Sequence, residues 1–260
     1  MTGEMRQGEP TARPAELGLL ARYKDPDVVR SLWQVVNTTV PLMALWLAML
    51  FFVDRAYGVT LLLALPTAAF LIRLFIIQHD CGHGAFLKSA RVSNAIGFVI
   101  GVFTLTPYHY WRKIHAMHHA TSGNLEGRGF GDIDTLTVQE YLALGRWGRL
   151  KYRLYRNPLV LFGVGLPFQF VIKHRLPTIV PPSWTRERLS IHLTNLALAA
   201  TIAVMALTIG LRRFLMVQIP VTLVSSTLGV WLFYVQHQFQ DTYWEHESAW
   251  DYVAAGIRGS

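Results

Sequence analysis

Apolar positions along this chain gather into four long runs rather than alternating with polar ones. They cover Leu32 to Val53, Val59 to Ile77, Leu189 to Gly210 and Phe214 to Gln236. A helix of roughly 20 apolar residues is what the hydrocarbon core of a bilayer requires. Only a few residues join the first run to the second (including Asp54 and Arg55) or the third to the fourth (including Arg212 and Arg213). Such short connections predict two helical hairpins. Two shorter stretches, Val92 to Thr106 and Pro158 to Ile172, are expected to be re-entrant or interfacial segments, or buried helices of a loop domain. The pattern predicts an all-α membrane protein: four transmembrane helices in two hairpins with a cytoplasmic helical cap. Residues 1–31 read as a polar N-terminal segment and 32–260 as the membrane domain.

Composition narrows the function. Of 260 residues, 52% are hydrophobic and 15% charged, which excludes a disordered chain. One cysteine excludes a disulfide framework and a cysteine-rich zinc or iron–sulfur site. The first 30 residues contain Pro10, Pro14 and Pro26 and no apolar stretch of the signal-peptide kind. The net charge of +8 reads as loop Lys and Arg, with no nucleic-acid partner. Fourteen of these cations lie in 79–188 and five in 1–30, whereas the hairpin tips hold only Arg55, Arg212 and Arg213. That bias predicts both termini and the 79–188 segment on the cytoplasmic side. Arg73, inside the second run, is expected to snorkel to the interface.

Histidines supply the candidate chemistry. His79 and His83 sit four residues apart where the second run ends; His115, His118 and His119 follow in the same segment; His237 closes the fourth run. Positions i, i+3 and i+4 share a helix face, so each cluster suits a metal. His118 and His119 diverge by about 100 degrees on a helix, which favours a dinuclear centre over a single ion. Imidazole suits Fe, Zn, Cu and Ni, so ligand type alone does not choose the metal. Asp80, Asp132 and Asp134 are candidates to accept the outer N–H of metal-bound imidazoles, or are ordinary caps and loop residues. His109, His174, His192 and His246 lack partners at ligand spacing and are expected to be interfacial or solvated. Cys81 is read as a packing residue, Gly127, Gly129 and Gly131 as a flexible loop, and Trp111-Arg112-Lys113 as interfacial anchors.

The strings His79-Asp80-Cys81-Gly82-His83 and His115-Ala116-Met117-His118-His119 resemble the first two histidine boxes of the membrane fatty acid desaturases, most closely the acyl-lipid delta-12 branch. Thr106-Pro107-Tyr108-His109-Tyr110-Trp111-Arg112 and Gly131-Asp132-Ile133-Asp134-Thr135 are further similar strings. The resemblance implies two iron ions held by histidine, O2 as co-substrate, an acyl-lipid substrate and an electron donor of ferredoxin or cytochrome b5 type. It also implies a third HxxHH box beyond the fourth span. No such string lies in the 23 residues after His237. The expectation is therefore a C-terminally truncated member with little or no activity. The rivals are a hydroxylase, acetylenase or carotenoid-modifying relative, a non-catalytic membrane partner, and a zinc hydrolase. The zinc hydrolase is disfavoured because a catalytic zinc needs only about three protein ligands.

Overall fold

The computed structural model describes residues 25–165 and 167–259; most of the expected N-terminal segment, residues 1–24, lies outside them. Helix α1 spans Val28–Phe52 and α2 Tyr57–His83. Then come α3 (Ala90–Phe103), α4 (Tyr108–Thr121), α5 (Val138–Ala143) and α6 (Arg146–Tyr155). The second pair of long helices is α7 (Thr185–Thr208) and α8 (Leu211–His237), and α9 is Tyr252–Arg258. Helices α1, α2, α7 and α8 have 24 to 27 residues and are apolar enough to cross a membrane. At 1.5 Å per residue each reaches about 36–40 Å, longer than a ~30 Å hydrocarbon core. Among the described residues no strand forms; one isolated bridge joins Asn124 and Glu245.

Local chemistry fixes the helix ends that matter. Asp27 caps α1 by accepting from the Val29 and Arg30 N–H groups. Helix α2 continues past the end of its apolar run at Ile77 and stops at Gly84, whose φ of 72° is the left-handed conformation glycine adopts freely. There Gly84 N–H donates to Cys81 O and Ala85 N–H to Asp80 O, so the last carbonyls are satisfied. The first histidine box is thus the final turn and a half of a span.

A buried apolar core joins α1, α2, α3, α4 and α8 around Met49, Leu74, Ile77, Ile100, Tyr108 and Val217. The outward faces stay apolar, with Leu207 88% exposed, which is what a surface solvated by lipid requires. The hairpin tips are tied together: Asp54 pairs with Arg213 and, at 3.7 Å, with Arg212. The histidine-bearing ends of α2 and α8 lie at the other end of the bundle. Arg73 does not rely on snorkelling alone, for its guanidinium donates to Asn37 on α1 at 2.7 Å. A polar partner on a neighbouring helix lowers the cost of a cation at that depth.

The two shorter apolar stretches are not ordinary spans. Helix α3, about 21 Å long, ends in a corner, and the chain enters α4 bent by 102°. The corner folds close on α3. A Cβ at Gly97 would fall 2.3 Å from the Tyr108 ring, and one at Gly101 2.4 Å from Thr106 O. Residues 158–165 and 168–172 form a helical turn and two π-type turns, the first of them against α8, where Thr227 donates to Phe162 O at 3.0 Å.

Candidate metal centre

Two helical segments build the larger part of the site, and their rings meet in matching order, Phe75 with Trp111, His79 with His115 and His83 with His119. His79 and His83 occupy one face of the end of α2. His115 and His119 occupy one face of α4. Their ligand atoms all lie within 4.8 Å of one another. The Nε2 of His83 is 3.2 Å from that of His79 and 3.0 Å from that of His115; His115 and His119 are 3.0 Å apart through the same atoms. Four Nε2 atoms so placed can offer their lone pairs to one cation, because a neutral imidazole that carries its proton on Nδ1 leaves Nε2 free. Asp80 sits 3.2 Å from His79 Nδ1. Its carboxylate holds a proton on that nitrogen and leaves the Nε2 lone pair facing the cluster. Burial, then the neighbouring imidazoles, push His115 down to about 2 and His119 down to about 4. Both are neutral at ordinary pH, as metal ligands must be.

His118 turns away from this group. Its Nδ1 bonds the Asp132 carboxylate, and its ring stands 4.8 Å from that of His237, at 89°. The ring is 3% exposed, and its Nε2 is buried with no hydrogen-bond partner. Such an orphaned nitrogen is costly in an apolar setting, unless a cation takes its lone pair. His237 Nδ1 faces Gly259 O at 3.3 Å. The donor set therefore fits a cation among the four imidazoles, and the orphaned Nε2 of His118, with the His237 ring beside it, borders that group.

Asp132 reaches His118 from a strap that is firmly pinned. Arg128 makes a two-bond pair with Glu140, at 2.6 and 3.0 Å, and donates to Leu125 O and Thr135 O. Glu140 and Thr137 form a capping box on α5, and Arg128 holds the Glu140 carboxyl down to about 2. The glycines expected to be flexible have a definite task. Gly129 (φ 108°) and Gly131 (φ 77°) make the turn, and Gly129 N–H donates to Asp132 at 3.3 Å. Asp134 is elsewhere: its backbone N–H donates to the Tyr155 hydroxyl at 3.0 Å. Thr135 and Arg156 both bond Gln238, the residue after His237, which ties the strap to the end of α8.

The reading of Trp111 and Arg112 as interfacial anchors is corrected by their contacts. Trp111 stacks on His115 with ring centres 4.5 Å apart and planes at 16°. It comes close to α2 because residue 82 is glycine; a Cβ there would lie 3.0 Å from the Trp111 ring. Arg112 donates to Gly82 O at 2.9 Å and to Asn94 at 3.1 Å, so it links the two box helices. The signal was present, because Trp111 is four residues before His115 and shares its face. Lys113 pairs with Glu187 at 3.4 Å and lies over the Trp184 ring.

None of the remaining histidines joins the cluster. His192 is exposed, and His246 is exposed and paired with Glu126 at 2.7 Å. His109 is held through its backbone N–H by Ser190. His174 is neither interfacial nor solvated. It is 5% exposed, 3.1 Å from the Gln169 amide and flanked by Phe170 and Tyr110. Burial, with Arg175 beside it, pushes it down to about 3. Periodicity gave no sign of this, because residues 158–179 follow no regular helix. Cys81 is a free thiol buried in the core.

Fold and site together define a polytopic membrane protein whose histidines converge at one end of its helices. Sequence comparison gives the family. The model described as "Fatty acid desaturase" matches residues 55–254. A Bacillus subtilis (strain 168) protein named "Fatty acid desaturase" is 45% identical over 241 residues, covering 93% of this chain and 68% of that protein. The "Delta(12)-fatty-acid desaturase" of Arabidopsis thaliana is 26% identical over 72% of this chain and 52% of its own length. The Synechocystis "sn-1 acyl-lipid omega-3 desaturase (ferredoxin)" is 37% identical over 39% of this chain and 28% of its own. The chain belongs to the fatty acid desaturase family of membrane oxidoreductases.

Proposed function

We propose that this chain holds iron at two neighbouring positions and desaturates the acyl chain of a membrane lipid, with the histidine boxes and both termini on the cytoplasmic side. The single observation that carries this reading is the convergence of the Nε2 atoms of His79, His83, His115 and His119 beside the unpartnered Nε2 of His118. His237 completes the second position. Iron, when bound, supplies oxidising power with O2, two donor electrons and two protons, so that a methylene pair becomes a double bond and two waters leave. The donor is read as a ferredoxin or cytochrome b5 type protein; the name of the Synechocystis relative carries ferredoxin.

The residues of the chain have separable tasks. Asp80 and Asp132 orient His79 and His118 by holding the outer proton of each ring. Trp111 restricts rotation of His115, and Arg112 keeps the two box helices in register. The second position has two imidazoles among the described residues against four at the first, so these residues alone are expected to hold its iron more weakly. The cytoplasmic placement rests on the Lys and Arg excess of 79–188.

Iron per chain, measured on purified protein, and acyl unsaturation in a host lacking this activity test the reading. Two irons per chain, the one among the four imidazoles held more tightly and lost in His115→Ala, together with new unsaturation in the host, is the expected result. Protein that binds no iron overturns the metal assignment, and iron-loaded protein that forms no double bond with a competent donor overturns the proposed activity.

A further inference from the structure

Helix α6 has two unlike faces. On the inner face the Tyr152 hydroxyl accepts from Leu136 N–H at 3.1 Å and the Tyr155 hydroxyl from Asp134 N–H at 3.0 Å. These bonds fasten the helix to the strap that carries Asp132. The outer face presents Trp147, Leu150 and Leu154, which are 82%, 45% and 53% exposed. At 100 degrees per residue these three fall within one narrow stripe. Arg146 and Arg153 border the stripe on one side and Lys151 on the other, and all three are exposed. Among the described residues Arg146 and Lys151 have no acidic partner, while Arg153 donates to the Tyr141 hydroxyl at 2.6 Å.

The position of the helix shows what this face meets. Just after α6, Arg156 reaches Gln238 and, at 3.4 Å, the Tyr234 hydroxyl, at the end of a candidate membrane span. The chain then runs alongside α8, where Phe162 O accepts from Thr227, and this stretch too is apolar and exposed at Leu159 and Val164. The apolar stripe of α6 is therefore followed in the chain by an exposed apolar stretch that packs along a candidate span. A solvated face would not place a tryptophan and two leucines outward between three cations. A helix lying in the headgroup layer does, with its apolar residues at the acyl boundary and its cations on lipid phosphates.

We propose that α6 docks on the bilayer that carries the chain, with Trp147, Leu150 and Leu154 inserted and Arg146, Lys151 and Arg153 selecting anionic headgroups. This goes beyond the metal-centre reading and does not depend on it. The test needs no turnover. Cys81 is the sole cysteine and is buried, so Leu150→Cys can be labelled selectively with an environment-sensitive fluorophore. The labelled full chain is placed in nanodiscs of phosphatidylcholine alone or with phosphatidylglycerol, each with a lipid quencher near the headgroup.

Stronger quenching in the anionic nanodiscs is expected, and Arg146→Glu with Lys151→Glu should abolish the difference. Each cation lost should weaken partitioning roughly five-fold. Leu154→Cys repeats the reading one turn away. A label that stays in water in both lipids overturns the proposal, as does equal depth in both. Shielding that appears only when an acidic electron-donor protein is added also overturns it, and assigns the face to that protein.

Discussion

The two halves of the histidine centre are made in different ways. The four-imidazole group is assembled from two helix ends, each offering a residue pair at i and i+4, and His83 and His119 remain exposed. The pair of His118, which is buried, and His237, which is partly buried, is long-range, drawn from α4 and the end of α8, with its supporting carboxylate on the strap. The first half depends on helix periodicity and on keeping α2 and α4 adjacent. The second depends on loops closing correctly. Substitutions should therefore have different effects in the two halves.

The sharpest break is His115→Ala. His115 contacts both His83 and His119, so its loss should abolish tight iron binding. An affinity drop of more than roughly 100-fold is expected, since removal of a supporting partner alone costs about 10–100-fold. Iron content after gel filtration reads it. Retained iron would show that the four imidazoles do not act as one site.

Asp132→Asn tests the other half. It should weaken metal at the His118 position by about 10–100-fold and leave the four-imidazole position loaded. Asp80→Asn should reverse that pattern. Mössbauer spectra of iron-loaded protein distinguish the two, and identical losses in both variants would mean that the halves are not separable.

Arg112→Ala should act through the scaffold. It removes charge-assisted hydrogen bonds to Gly82 O and Asn94 and should cost about 2 kcal/mol, read as a lower melting temperature in detergent. Gly82→Ala is milder, at about 1 kcal/mol, because a Cβ displaces the Trp111 ring. Its mark is a changed Trp111–His115 stack, visible in the iron spectrum.

The smallest effect concerns the segment that closes over His237. Glu126 raises the pKa of His246 through their hydrogen bond. A raised folded value means that this contribution is fully present below about 6.5 and is lost as pH rises through the folded value. The pair is exposed, so salt should erase most of it. A fall in the protection of the Glu247 amide relative to its intrinsic exchange rate should accompany that rise in pH, since its N–H donates to Glu126 at 2.8 Å. Protection that does not change with pH would show that the bonds of Gly123 and Leu125 to Glu245, with Trp250 to Ser122 O, hold the segment without the ion pair.

The spans were legible because a bilayer demands long apolar runs and the chain has four. Their ends were less so. Hydropathy closes the second run at Ile77, while the helix runs on to His83, because its stop signal is Gly84 rather than polarity. The turn at 104–107 was not legible, since it depends on Gly97 and Gly101 admitting Tyr108 and Thr106. Asp80 was readable as a neighbour of His79. Asp132 and Asp134 looked alike in sequence, and only the strap's path sends one to His118 and the other to Tyr155.

What the sequence determined by itself is local and periodic: four apolar helices, and histidine pairs that must share a helix face because 3.6 residues make a turn. Only the tertiary structure decided which histidines meet. It set His119 with His115 and turned its neighbour His118 toward His237. It also stacked Trp111 behind the cluster and buried His174 away from it. Those outcomes come from contacts between residues far apart in the chain, at glycine-permitted close approaches and pinned loops. Periodicity carries no information about them.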